Sequence, residues 1–186
     1  MSKLNHPLEK HIQTITYKGV AFDIVERPDV LWVGCVDYAK NNTDESDTGE
    51  TRKRFFSTAI TKNDLVNPGY GAAISINYDC DNKPCGLMFA EETYTEKQDE
   101  VYDLFTQPGG LWLRVHVTED ADVALLGRKN HGLWEYFAEE VLIKAANEHG
   151  YNANTDIHVA VEYNCHAGAE IGANYIYIPV TRIKSS

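Results

Sequence analysis

Long apolar runs are missing from this sequence. No stretch approaches the roughly 20 apolar residues that a membrane span needs, and the opening residues MSKLNHPLEKHIQ lack the apolar core of a signal peptide. A cytoplasmic protein that does not enter membranes is the expectation. Cysteine is scarce as well: Cys35, Cys80, Cys85 and Cys165 are too few and too irregular for a secreted disulfide framework, so free thiols are expected. Cys80 and Cys85 share a D-C-D-N-K-P-C turn, but the second ligand pair of a zinc site is absent, and the seven histidines show no paired ligand spacing. Phosphate loops, dinucleotide fingerprints and nucleophile elbows are absent too, so neither a metal nor a cofactor is expected. Basic charge is in deficit, with 17 Lys and Arg against 28 Asp and Glu, a net charge of -11. Such a surface repels a nucleic-acid backbone and favours cationic ligands or basic partner surfaces, although acidity is also an ordinary route to solubility.

What is present reads as an ordinary globular chain. With 186 residues, 43% hydrophobic and 11% aromatic, it fits one domain over 1–186, or two similar halves sharing one core. Turn signals and periodicity divide it into strand, helix, strand, strand, twice over, at about 20–95 and 110–183. The first copy opens with a strand over Val30–Tyr38. A helical pattern follows, with Phe55, Phe56, Ala59 and Ile60 on one side, N-cap candidates Ser46, Asp47 and Thr48, and a stop at Asn67-Pro-Gly69. Strands over Ala72–Tyr78 and Leu87–Tyr94 complete it. Residues 95–110 read as a connection with a short helix at Asp99–Phe105. The second copy begins with a half-buried strand at Leu111–Val117, then a helix from His131 to about His149 with an apolar stripe through Leu133, Trp134, Phe137, Val141, Leu142 and Ala145, and Gly150 as its C′ residue. Strands at Ile157–Asn164 and Asn174–Val180 form a hairpin that closes the second half.

One strand carries an unexpected charge. In Ile157-His-Val-Ala-Val-Glu-Tyr163, alternation puts His158, Ala160 and Glu162 on the face opposite Val159, Val161 and Tyr163. A carboxylate in a sheet either faces water at no cost or faces a pocket at a desolvation cost that a cationic ligand can offset, and both readings stay open here. Trp32, Trp112, Tyr78, Tyr94, Tyr163, Tyr175 and Tyr177 fall on or beside the strands. They are core packing or the flat walls of a site for a delocalised cation. Glu91 and Glu92 interrupt another apolar strand, and alternation puts Glu92 on the face of Met88 and Ala90. That strand is a solvated edge, or Glu92 and Glu162 converge on one cavity and activate water there. Cys165-His166, beside a Gly-rich loop, reads as a turn rather than a catalytic dyad.

The segment from Trp134 to Val180 resembles the C-terminal half of the GyrI-like small-molecule-binding domain, the effector-binding domain of AraC-type and related multidrug-responsive transcription regulators. The likeness rests on the Trp-led helix Leu133-Trp-Glu-Tyr-Phe, the strand with Val161-Glu-Tyr163 and the closing strand Tyr175-Ile-Tyr-Ile-Pro-Val180. It implies an α+β fold in which duplicated strand-helix-strand-strand halves form an antiparallel sheet, with two main helices on one face and a central ligand cleft. Glu162 matches the glutamate at the base of that cleft, which attracts cationic aromatic compounds; Tyr175, Tyr177, Glu92, Trp112, Trp32 and Tyr78 are the expected lining, with Tyr163 included as a motif position. About twenty residues precede the first family-like segment, with no helix-turn-helix among them, so the resemblance implies a stand-alone sensor or sequestering protein without direct DNA contact. Some relatives inhibit DNA gyrase and others look like hydrolases of reactive DNA-alkylating natural products. A protein partner, either a regulator or gyrase, and a hydrolase are therefore the alternatives. The oligomeric state is not legible.

Overall fold

The computed structural model describes residues 8–39, 48–78, 80, 82–129, 134–138, 140–163 and 174–183. Ser46, Asp47, Leu133, Cys165 and His166 lie outside them. Along the chain run β1 (Lys10–Tyr17), β2 (Val20–Arg27), β3 (Val30–Tyr38), α1 (Thr48–Ser57), β4 (Ala72–Ile76), β5 (Gly86–Thr93), β6 (Asp103–Gln107) and β7 (Gly110–Val117). Then come α2 (Glu119–Leu126), α3 (Trp134–Ala138), α4 (Val141–Glu148), β8 (Tyr151–Ala153), β9 (Val159–Tyr163) and β10 (Asn174–Arg182). All described pairings are antiparallel and the fold is α+β. The chain divides into two compact units: the first comprises residues 1–28, 109–157 and 172–186, the second residues 29–108 and 158–171.

The first unit orders its strands β1-β2-β7-β10, with β8 pairing the end of β10. β1 and β2 meet through Lys18 and Gly19, both at positive φ (48° and 79°), the backbone that a two-residue hairpin requires. The sequence reading assigned this hairpin no structure. Phe22, Val115 and Ile176 align across the ladders, as do Ile24, Leu113 and Ile178, so these residues form one apolar face. α2 packs on β2 and β7, and α4 on β7 and β8. The helix expected over 131–149 is two helices. Glu140 adopts φ 54°, and its N–H bonds the Phe137 carbonyl three residues back, which interrupts the helical ladder between α3 and α4. Gly150 follows α4 at φ 82°, as its C′ assignment requires.

The second unit orders its strands β9-β4-β5-β3-β6. β9 pairs along β4, a strand assigned to the first half, a pairing that the sequence reading did not foresee. β6 stands where a connection and short helix were expected: Asp99 turns the chain by accepting the Val101 and Tyr102 N–H groups, and Asp103–Gln107 then pairs with β3. α1 packs on β3 and β5 and stops at Ser57, short of the expected Asn67. The Arg54 carbonyl takes both the N–H and the hydroxyl of Thr58 there. Phe55 is accordingly buried with Val33, Cys35, Ala73, Phe89 and Tyr102, whereas Phe56 and Ile60 are exposed. β5 runs between β3 and β4, so the solvated-edge reading of Glu91 and Glu92 is overturned: both are buried.

Candidate functional site

The ladders of the second unit sort its charged residues by face. Glu162 pairs with Ala73, Ala73 with Phe89, and Phe89 with Cys35, so these four share one face. Ala160 and Ser75 form the neighbouring pair, which leaves small side chains around the Glu162 carboxyl. Glu162 keeps partial access to solvent, yet burial pushes its pKa up to about 7. Among the described residues, none donates a hydrogen bond or a cation to it.

Glu91, on the same face, is handled differently. Lys62 Nζ lies 3.0 Å from its Oε2, and the Gly69 N–H donates to Oε1 at 2.7 Å. The Lys62 ammonium also sits 4.5 Å from the Phe55 ring centre and 5.2 Å from that of Tyr102, a cation–π enclosure.

The opposite face carries Trp32, Glu92 and Tyr163. Trp32 pairs with Glu92 across β3 and β5, while Tyr163 pairs with Ala72 and Ala72 with Ala90. The Tyr163 hydroxyl donates to the Glu92 carboxylate, and the Tyr163 ring packs on Trp32 at 5.5 Å and on Tyr70 at 5.9 Å. Trp32 Nε1 donates to Gln107 Oε1 at 3.0 Å. Alternation therefore assigned Glu92 to the correct side of its own strand, but the register keeps Glu92 and Glu162 on opposite faces, and two carboxylates converging on one water are not found. Tyr78 lies past the end of β4, beyond Asn77 at φ 56°, and its carbonyl lies 3.2 Å from His158 Nδ1.

In the first unit, Trp112, Tyr175 and Tyr177 share the face opposite the apolar one, with Arg114 and Asp23 between them. Arg114 holds Asp23 Oδ2 through Nε and Nη2, both at 3.1 Å, and also donates to Glu9. Burial opposes its charge, but Tyr177, Glu9 and Asp23 outweigh burial and raise its pKa above the ordinary arginine range. Arg114 lies 5.5 Å from the Tyr175 ring and Arg27 lies 4.8 Å from the Tyr177 ring, so these aromatics already face arginines of the same unit. Tyr175 also stacks on His116 at 4.9 Å.

The sequence reading missed Lys62, Tyr70, Gln107 and Arg114 as members of these clusters. Gln107, beside Pro108 and two glycines, was absorbed into a connection. Among the described residues, no group of three or more His, Cys, Asp or Glu is placed to hold a metal ion, and no helix is long and apolar enough to cross a membrane.

No family model matches the chain, and no curated protein matches it. Among solved structures it is similar to SAV2435 bound to tetraphenylphosphonium, with a TM-score of 0.54 and 12% identity over 86% of this chain and 93% of that one. An integron cassette protein from the mobile metagenome of Vibrio cholerae has a TM-score of 0.49 at 14% identity, covering 94% and 98% of the two chains. A hydrolase encoded by lin2189 from Listeria innocua has a TM-score of 0.48 at 7% identity, covering 86% and 91%. The SAV2435 match shows a shared fold.

Proposed function

We propose that this chain is a small-molecule-binding protein of the GyrI-like kind, whose ligands are cationic, aromatic compounds held by Glu162. The observation that carries the reading is the contrast on a single sheet face. Glu91 has a cation, a backbone donor and two rings, whereas the desolvated Glu162 has no described partner. A carboxylate pushed out of water without compensation costs stability, and a protein that keeps one has a use for its charge. A bulky delocalised cation compensates it at small desolvation cost of its own. SAV2435, whose fold is shared, was solved with such a cation, tetraphenylphosphonium.

The test is calorimetric titration with tetraphenylphosphonium, on the native chain and on Glu162→Gln. Native affinity is expected to exceed that of the variant by about 1–3 kcal/mol at pH above 7. Because the carboxyl has a pKa of about 7, affinity should rise roughly tenfold between about pH 6 and about pH 8, and the variant should show no such rise. Equal affinities for the two proteins at every pH would remove Glu162 from the site.

A further inference from the structure

β1 ends the strand order of the first unit and β6 that of the second, and among the described residues each is paired on one side only. An open strand edge invites pairing with another chain, and folded proteins guard it with charge, bulges or proline. β1 is guarded: it carries Lys10 and His11, and its register shifts between His11 and Gln13. β6 has no such guard. Asp103-Leu-Phe-Thr-Gln107 contains no lysine, arginine or proline, and it pairs with β3 without a shift of register. Its one charge, on Asp103, is held by Arg54 at 3.0 Å.

The bonds of Val36 fix which backbone groups of β6 are open. Val36 donates its N–H to Asp103 Oδ2 and accepts from Arg54 Nη2, each at 2.9 Å, and Arg54 is itself bonded to Asp103, so both groups of Val36 point to the β6 side of β3. Backbone groups alternate sides along a strand, so Gly34, Trp32 and Val30 point the same way and bond their partners Asp103, Phe105 and Gln107. Leu104 and Thr106 therefore aim N–H and C=O outward, along the open edge. Both side chains are exposed, that of Leu104 by 42%.

We propose that β6 is a self-association edge, on which a second copy of this chain pairs β6 to β6 about a two-fold axis at Phe105. This register sets Leu104 opposite Thr106 of the second copy, so that the outward N–H and C=O of both residues are all answered. Shifting it either way sets Leu104 or Thr106 against Pro108, which has no N–H, or against Tyr102, whose N–H already bonds the Asp99 carbonyl. Charge agrees with the same register. Asp103 falls opposite Gln107, and the exposed Asp99 and Glu100 of the two copies lie at opposite ends of the paired strands. The two Phe105 rings meet as the close, non-hydrogen-bonded pair, an arrangement that favours aromatic contact.

A pair of five-residue strands is a small interface, so a micromolar dimer is expected. Sedimentation equilibrium of the native chain, in salt sufficient to screen its net charge of -11, should show a monomer–dimer equilibrium. Amide hydrogen exchange followed by NMR across the same concentrations locates the contact. Phe105 and Gln107 should be protected throughout, and Leu104 and Thr106 only where the dimer forms. Thr106→Pro removes one outward N–H and no bond to β3, so it should keep the native circular dichroism spectrum and stay monomeric. A monomer at every concentration up to millimolar, a dimer in which Leu104 and Thr106 still exchange fast, or a dimer that persists in folded Thr106→Pro would each overturn the proposal. So would protection of Leu104 and Thr106 in the monomer, which would mean that another segment of the same chain occupies the edge.

Discussion

Glu91 and Glu162 stand on the same face of one antiparallel sheet, and only Glu91 is given its own cation. The Glu91 arrangement shows what a structural buried carboxylate needs in this fold: an ammonium at 3.0 Å, a backbone N–H and aromatic walls. Glu162 sits among Ala73, Ala160 and Ser75, which donate nothing to it. Two carboxyls on one face thus differ in that Lys62 and the Gly69 N–H answer the charge of Glu91, whereas no described residue answers that of Glu162.

The structural role of Glu91 predicts a large cost when its partner is removed. Lys62→Met leaves a buried carboxylate with the Gly69 N–H but no cation, and should destabilise the chain by about 3 kcal/mol. Adding Glu91→Gln to Lys62→Met should recover much of that loss, because the stranded charge is then gone. Urea unfolding midpoints of the three variants check both steps.

Glu162 predicts a pH dependence of stability. Its ordinary value of 4.5 is raised to about 7 in the folded chain, so between these pH values the folded state holds a proton that the unfolded state has released. Its contribution to stability is therefore complete below about 4.5, falls as pH rises through that window, and is lost above about 7. The full loss is up to about 3 kcal/mol, less to the extent that solvent reaches the carboxyl. Subtracting the stability of Glu162→Gln from that of the native chain at each pH should isolate this slope. A flat difference would show that the carboxyl is not desolvated.

Gly34 is the position where packing leaves least room. An added Cβ would meet backbone, the Phe89 oxygen at 2.0 Å and Ala90 Cα at 2.6 Å, and no flexible side chain can yield there. Gly34→Ala should cost about 3 kcal/mol or more, at the upper end of overpacking penalties. Circular dichroism melting against the native chain is a sufficient check.

Local pattern made most strands legible, and pairing was not. Val30–Tyr38 was read to the residue because its apolar run is bounded by turn residues, and Gly150 was placed because helix ends follow fixed backbone chemistry. Alternation likewise told which neighbours Glu92 and Glu162 keep within their own strands. What alternation cannot give is register between strands, and register is what separates these two carboxylates. β1 and β6 were missed because they are short on apolar residues and are defined largely by the partners they pair with. Glu140 broke a helix whose apolar stripe ran on without interruption, since a left-handed residue leaves no mark on hydrophobic period.

Tyr163 tests the register directly. It neighbours Glu162 in sequence but projects from the other side of β9, with its hydroxyl on Glu92 and its ring on Trp32. Tyr163→Phe keeps the ring and removes only the hydroxyl, so a buried carboxylate loses one donor and stability should fall by about 1–3 kcal/mol. Because Glu162 is on the far face, the affinity for tetraphenylphosphonium should be unchanged, while that of Glu162→Gln falls. Calorimetry and urea unfolding on the same two variants give a crossed result: stability moves with Tyr163 and cation affinity with Glu162. Loss of cation affinity in Tyr163→Phe would mean that the two faces are coupled through β9, and would place Tyr163 in the cation site after all.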